Sequence, residues 1–215
     1  MCGRYALYDF EELYDEYTVP EGFNATPNYN VAPTQTMPVI TQNGVQMMRW
    51  GLIPAWAKDE KIGYKLFNAR SESVFEKTIW KQLITKRKCL IPANGFYEWQ
   101  NRDGVKQPYF IQLKDGGLFM FAGVWGMWKH KNVLWNTYSI LTTQPNHDMI
   151  TVHDRMPVII HKDDRAQWLS ADTQEHIEPF LAPYEDGHLI MTEVSPSVNT
   201  TRANDESLIL PLNSA

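Results

Sequence analysis

The chain has 215 residues, enough for one large domain with a full core, and its formal net charge of −5 excludes a general polyanion binder while leaving room for a local basic groove. Two cysteines, Cys2 and Cys89, exclude a disulfide framework. No apolar run reaches the roughly 20 residues of a membrane span, and residues 5–16 mix acids with aromatics where a signal peptide would be apolar, so a reduced cytoplasmic protein with a free Cys2 thiol is expected.

In chain order, Asp9-Phe10-Glu11-Glu12 has capping-box spacing and predicts a short amphipathic helix ending near Val19-Pro20. A polar loop runs from Glu21 to Thr36. Val39-Ile40-Thr41 and Val45 to Trp50 flank Gln42-Asn43-Gly44 and predict a hairpin. Gly51 to Tyr64 reads as loop, and Ser73-Val74-Phe75-Glu76 predicts a helix through about Thr85. From Cys89 the pattern turns to strand: Cys89 to Pro92, Phe96 to Gln100, Tyr109 to Leu113, Leu118 to Trp125 and Val133 to Thr142. Their short connections imply antiparallel neighbours. Pro145 to Asp154 is irregular, and Pro157 to Ile160 is an apolar strand. Helices are expected from Asp164 to Leu169 and from Gln174 to Leu181, then a last strand from Leu189 to Val194. The absence of repeats and linkers, with helices scattered among runs of strands, predicts one α+β domain over residues 1–215. The 8 Trp, 10 Tyr and 9 Phe serve either a mixed sheet core or a stacking surface.

The chemistry is concentrated at the start, Met1-Cys2-Gly3-Arg4. The initiator Met is trimmed when the next residue is small, which would leave Cys2 with an α-amine and a thiol two carbons apart. The amine, with a pKa of roughly 7.7–8.0, is partly neutral near pH 7. The thiolate is the reactive form of sulfur, and a neighbouring cation such as Arg4 would favour it. An amine and thiol so placed suit an aldehyde: the amine forms an imine, and sulfur closes a five-membered thiazolidine. The other reading of a Cys at position 2 is an incidental residue at a terminus.

Four further places hold polar groups in apolar or irregular surroundings. In Phe67-Asn68-Ala69-Arg70-Ser71-Glu72, Asn68 can orient a hydroxyl or carbonyl and Arg70 can hold a phosphate; alternatively Asn68 turns the backbone and Arg70 is a surface charge. In Asn94-Gly95-Phe96-Tyr97-Glu98-Trp99, strand alternation puts Glu98 on the face of Phe96. There it is either a desolvated acid/base or an exposed acid on an outer face. In Val152-His153-Asp154-Arg155-Met156-Pro157, His153 can titrate near neutrality and Arg155 can bind a phosphate, or the His is satisfied by backbone. The stretches Tyr29-Asn30-Val31-Ala32-Pro33 and Trp50 to Trp56 offer aromatics that stack on unpaired bases or cover the core. None of the six His lies in a metal motif, and no phosphate loop or Gly-x-Ser-x-Gly elbow occurs.

Taken in this order, these motifs resemble the SRAP family, the SOS response-associated peptidases also described as abasic-site processing proteins, over nearly the whole chain. The resemblance implies an α+β fold with a barrel-like core of mostly antiparallel strands. It implies binding of abasic sites in single-stranded DNA, without a cofactor or membrane, by a monomer. It implies covalent linkage through Cys2, lyase chemistry from an imine, and self-processing that exposes Cys2. By matching motif positions it assigns Asn68, Glu98 and His153 to the other catalytic places, Arg4, Arg70 and Arg155 to phosphates, and Asn30, Pro33 and Trp56 to DNA-facing loops. One departure is that Trp56 is followed by Ala57, where some members carry two adjacent Trp. Two other readings stand beside it. One is an N-terminal-nucleophile amidohydrolase in which the Cys2 amine is the base and Asn68 stabilises the oxyanion. The other is a single-strand binding module with an inert Cys2.

Overall fold

A computed structural model of the chain describes residues 2–212; Met1, on whose removal the Cys2 chemistry depends, lies outside them. In chain order the elements are β1 (Arg4–Leu7), α1 (Glu11–Glu16), β2 (Asn28–Val31), β3 (Thr36–Thr41), β4 (Gly44–Trp50), β5 (Asn68–Arg70), α2 (Thr78–Lys86), β6 (Lys88–Ala93), β7 (Gly95–Arg102), β8 (Val105–Leu113), β9 (Phe119–His130), β10 (Val133–Thr143), β11 (Met156–Pro157), α3 (Arg165–Ser170), α4 (Gln174–Ile177) and β12 (Leu189–Glu193).

The order β10-β4-β3-β6-β9 returns to β10, which closes a five-stranded barrel, with β11 and β5 paired to β10. A second sheet has the order β12-β8-β7-β1-β2 and is antiparallel throughout. The fold is thus α+β with a barrel core, as the sequence pattern and resemblance imply. The expectation of antiparallel neighbours holds where connections are short: β3–β4, β7–β8 and β9–β10. It does not reach the other partners of β10, which runs parallel to β4 and β5. Those partners lie far back in the chain, so no tight turn dictates their direction.

Burial explains the aromatic content. Tyr5, Trp50, Phe96, Phe119, Phe121 and Tyr138 form one fully buried cluster inside the barrel and against the second sheet. Tyr97 and Phe110 face the other way, into a smaller core with Ala6, Val194, Val198 and Leu208. The second sheet is therefore covered on both faces, the outer one by the chain's last segment. Gly44 closes the β3–β4 hairpin at φ 88°, a conformation L side chains avoid.

Two helices differ from expectation. Asp9 accepts from the Glu11 N–H at 3.0 Å, but the N-cap is Phe10, which makes no side-chain cap, and α1 stops at Glu16. The helix expected from Ser73 begins only at Thr78: residues 71–73 form a 3-10 turn, and the Ser73 hydroxyl is buried without a hydrogen-bond partner among the described residues. Val74 is fully buried there and Phe75 packs on the core, so tertiary burial overrides the local cap. Three strands that the sequence pattern does not predict, β1, β2 and β5, are short and take their stability from partners distant in sequence. No helix among the described residues is long and apolar enough to cross a membrane.

Candidate active site

Strand β1 delivers the start of the chain to the site. Arg4 pairs with Tyr97 and Tyr5 with Phe96, so one step further along this register brings Gly3 opposite Glu98. Cys2 is then held inside the main core, 0% exposed. Its thiol lies 3.7 Å from the Arg4 carbonyl, and its own carbonyl accepts from Asn68 Nδ2 at 2.7 Å. Asn68 reaches Cys2 from β5, which pairs with β10 at Ile140. The Asn68 Oδ1 atom is buried with no hydrogen-bond partner among the described residues, so one acceptor aims into the site unused. Behind Cys2, the Tyr5 and Tyr138 hydroxyls share a buried hydrogen bond of 2.8 Å.

Glu98 is 2% exposed, which resolves its two readings in favour of the desolvated acid. Burial pushes its carboxyl up to about 7; Asp154 adds to the rise and Lys106 opposes it. His153 Nε2 is 3.7 Å from Glu98 Oε2, and its Nδ1 accepts the Arg155 backbone N–H at 3.0 Å. That bond leaves the proton of a neutral ring on Nε2, facing Glu98. Asp154 Oδ1 also lies 2.9 Å from Nδ1 and favours the charged ring, but burial dominates and holds His153 below its ordinary value. The site thus pairs a carboxyl poised near neutrality with an uncharged imidazole, the combination acid/base work requires.

One expectation about charge is corrected. Arg4 does not favour a Cys2 thiolate: burial, reinforced by Glu98, drives the thiol far above its ordinary value, so the sulfur carries its proton. The Arg4 guanidinium turns away instead, to Asn30 Oδ1 at 2.6 Å and the carbonyl of Val198 at 2.8 Å. Asn30 is 1% exposed and donates to the carbonyls of Val198, Thr200 and Ala203, so it fastens the chain's last segment. Arg155 forms a two-pronged ion pair with Glu72 and also donates to the Thr142 carbonyl at 2.6 Å. Arg70 is exposed and makes no ion pair among the described residues. Pro33 is partly exposed, and Trp56, 71% exposed, stands about an apolar depression lined by Ile53, Pro54, Ile79, Leu83 and Met127.

Glu98 and His153 open onto a cleft of about 450 Å³ whose other walls are Trp99, Lys106 and Asn199. The Trp99 Nε1–H donates to Asn199 Oδ1 at 2.8 Å, which fixes the indole at the rim. The sequence reading gives none of these three a role at the site. Trp99 adjoins Glu98 in a recognisable motif, but Lys106 reaches the cleft across the β7–β8 hairpin and Asn199 arrives from the far end of the chain. No group of His, Cys, Asp and Glu able to hold a metal occurs among the described residues.

A buried amino-terminal cysteine, a desolvated carboxyl and a neutral histidine on a barrel backed by a second sheet define a class of protein, and the chain belongs to it: the SOS response associated peptidase (SRAP) family, whose model matches residues 1–201. It is 39% identical to the abasic site processing protein YoaM of Bacillus subtilis, over 97% of each chain. It is 40% identical to YoqW of the same organism, also an abasic site processing protein, over 97% of this chain and 99% of that one. The crystal structure of a protein from Bacteroides thetaiotaomicron superposes with a TM-score of 0.90 at 25% identity, covering 98% of this chain and 99% of the other.

Proposed function

We propose that this protein captures abasic sites in single-stranded DNA as a covalent thiazolidine through Cys2, by way of an imine. The reading is supported by the names of its relatives and carried by one observation: Asn68 clamps the buried Cys2 at 2.7 Å, and Glu98, whose charge acts on the Cys2 thiol, opens with His153 onto a cleft. The lesion has no base edge to read, so the strand is held by its backbone, and a single strand spares the cost of extruding the sugar from a duplex.

Once Met1 is removed, the Cys2 nitrogen adds to the C1′ aldehyde of the ring-opened sugar. Two protons leave the nitrogen for the aldehyde oxygen: Glu98 carries the first to the oxyanion, giving the carbinolamine, and the second to its hydroxyl as water leaves and the neutral imine forms. His153 donates from Nε2 to the sugar oxygens during ring opening, and the spare Asn68 Oδ1 accepts from the Cys2 amine. The Cys2 sulfur then bonds to the imine carbon, and the thiol proton ends on the nitrogen. A sulfur that stays protonated until the imine appears fits this order of events. In competition, loss of a C2′ proton expels the 3′ phosphate and cuts the strand, which is lyase chemistry. Arg70, Pro33 and Trp56 contact the flanking strand; Arg4 and Arg155 reach phosphates only by giving up their present partners.

The test is a denaturing gel of trimmed protein with single-stranded DNA carrying one abasic site. A shifted, heat-stable band is expected. Cys2→Ser should lose that band yet yield an adduct after borohydride reduction, since the amine remains. A heat-stable band of undiminished yield from Cys2→Ser would sink the scheme. Peptide turnover without any DNA adduct would establish the amidohydrolase reading instead.

A further inference from the structure

The phosphate contacts implied by the family resemblance leave a gap at the cleft itself. Arg4 is committed to Asn30 and the Val198 carbonyl, and Arg155 to Glu72 and the Thr142 carbonyl. Arg70 lies on β5, outside the walls of the cleft. The cation that lines the cleft beside Glu98 and His153 is Lys106, exposed on β8 and in no ion pair among the described residues. It shares the cleft with Trp99, whose indole is pinned by Asn199. An exposed ammonium and a fixed indole lining one cleft with a carboxyl and an imidazole match the repeating phosphate and apolar sugar of a nucleic-acid strand.

Building on the abasic-site reading, we propose that Lys106 is a phosphate-binding residue for the strand, holding a phosphate next to the lesion while the sugar descends past Trp99 to Cys2. Lys is suited to this place because a flexible point charge follows a mobile backbone, whereas the committed arginines need a fixed fork. Its proximity to the reacting groups is also electrostatic: Lys106 lowers the proton affinity of both Glu98 and His153.

The experiment measures reversible binding to a single-stranded oligonucleotide bearing one tetrahydrofuran abasic analogue, which lacks the aldehyde, across a series of salt concentrations. One lost phosphate contact on a single strand lowers the slope of log affinity against log salt by about 0.7. Lys106→Gln is expected to show that loss, and Lys106→Arg to restore the wild-type slope. An unchanged slope in Lys106→Gln, with or without weaker binding, overturns the inference, because a merely structural lysine weakens binding without releasing a counterion. The covalent gel on wild-type protein separates the two ideas. Wild-type cross-linking with an unchanged slope refutes only the role of Lys106, and failure of wild-type protein to cross-link refutes the abasic-site reading on which that role depends.

Discussion

Glu98 is the buried acid of the proposed reaction, and its burial has a measurable cost. Its ordinary value is 4.5 and its folded value about 7. Between these the native state holds the proton more tightly than the unfolded chain, so the stability from this group is fully present below about pH 4.5 and is lost as pH rises through about 7. Glu98→Gln keeps the shape and removes the charge, and should be more stable than wild type at pH 8 by up to about 3 kcal/mol, with the difference vanishing near pH 4. Thermal unfolding at the two pH values checks this; equal stability at both would mean that the carboxyl is not desolvated. In the proposed reaction the carboxylate is the base, so wild-type cross-linking should rise through pH 7. Glu98→Gln should be slow and lack that inflection in a rate-against-pH series.

At the scale of elements, the site depends on β1 and β7 staying in register. Gly95 opens β7 where a side chain has no room: a Cβ there would stand 2.2 Å from Phe110 Cζ and 2.8 Å from the Ile111 carbonyl. Gly95→Ala should cost about 3 kcal/mol by overpacking, read as a lower urea midpoint. If its midpoint matched wild type, the β7–β8 hairpin would have to be looser than described. The second fixed point is β5, where Asn68 holds Cys2 from the opposite side. Asn68→Ala removes that donor and strands a buried carbonyl, and should slow cross-linking to the abasic strand while leaving reversible binding to the tetrahydrofuran analogue intact. Loss of both together would assign Asn68 to folding alone.

For the whole molecule, the last segment is a strap over the outer face of the second sheet, and Asn30 is its fastener. Three carbonyls of residues 198–203 converge on one buried amide. Asn30→Ala should destabilise the protein by about 3 kcal/mol and expose residues 199–205 to protease, since buried acceptors lose their donor. Limited proteolysis and urea unfolding read both effects. A variant of wild-type stability with weakened DNA binding would instead return Asn30 to the DNA-facing role implied by the resemblance. Because the strap also carries Asn199 to the cleft, its detachment should free the Trp99 indole and reduce affinity for single strands secondarily.

The amino-acid sequence alone determined much of this. Alternation from Cys89 to Thr142 located the long strands, Gln42-Asn43-Gly44 marked its hairpin, and the ordered motifs identified the family and named Cys2, Asn68, Glu98 and His153. Those signals are local: a period of two, a turn residue, a short run of residue types. Tertiary structure decided what local signals do not carry. It set the parallel pairing of β10 with β4 and β5, displaced the start of α2, and turned Arg4 and Arg155 toward protein partners. It brought Lys106 and Asn199 to the same cleft. The reason is physical: strand direction, side-chain burial and the choice of ion-pair partner are settled by groups far apart in the chain, and they meet only after the barrel closes.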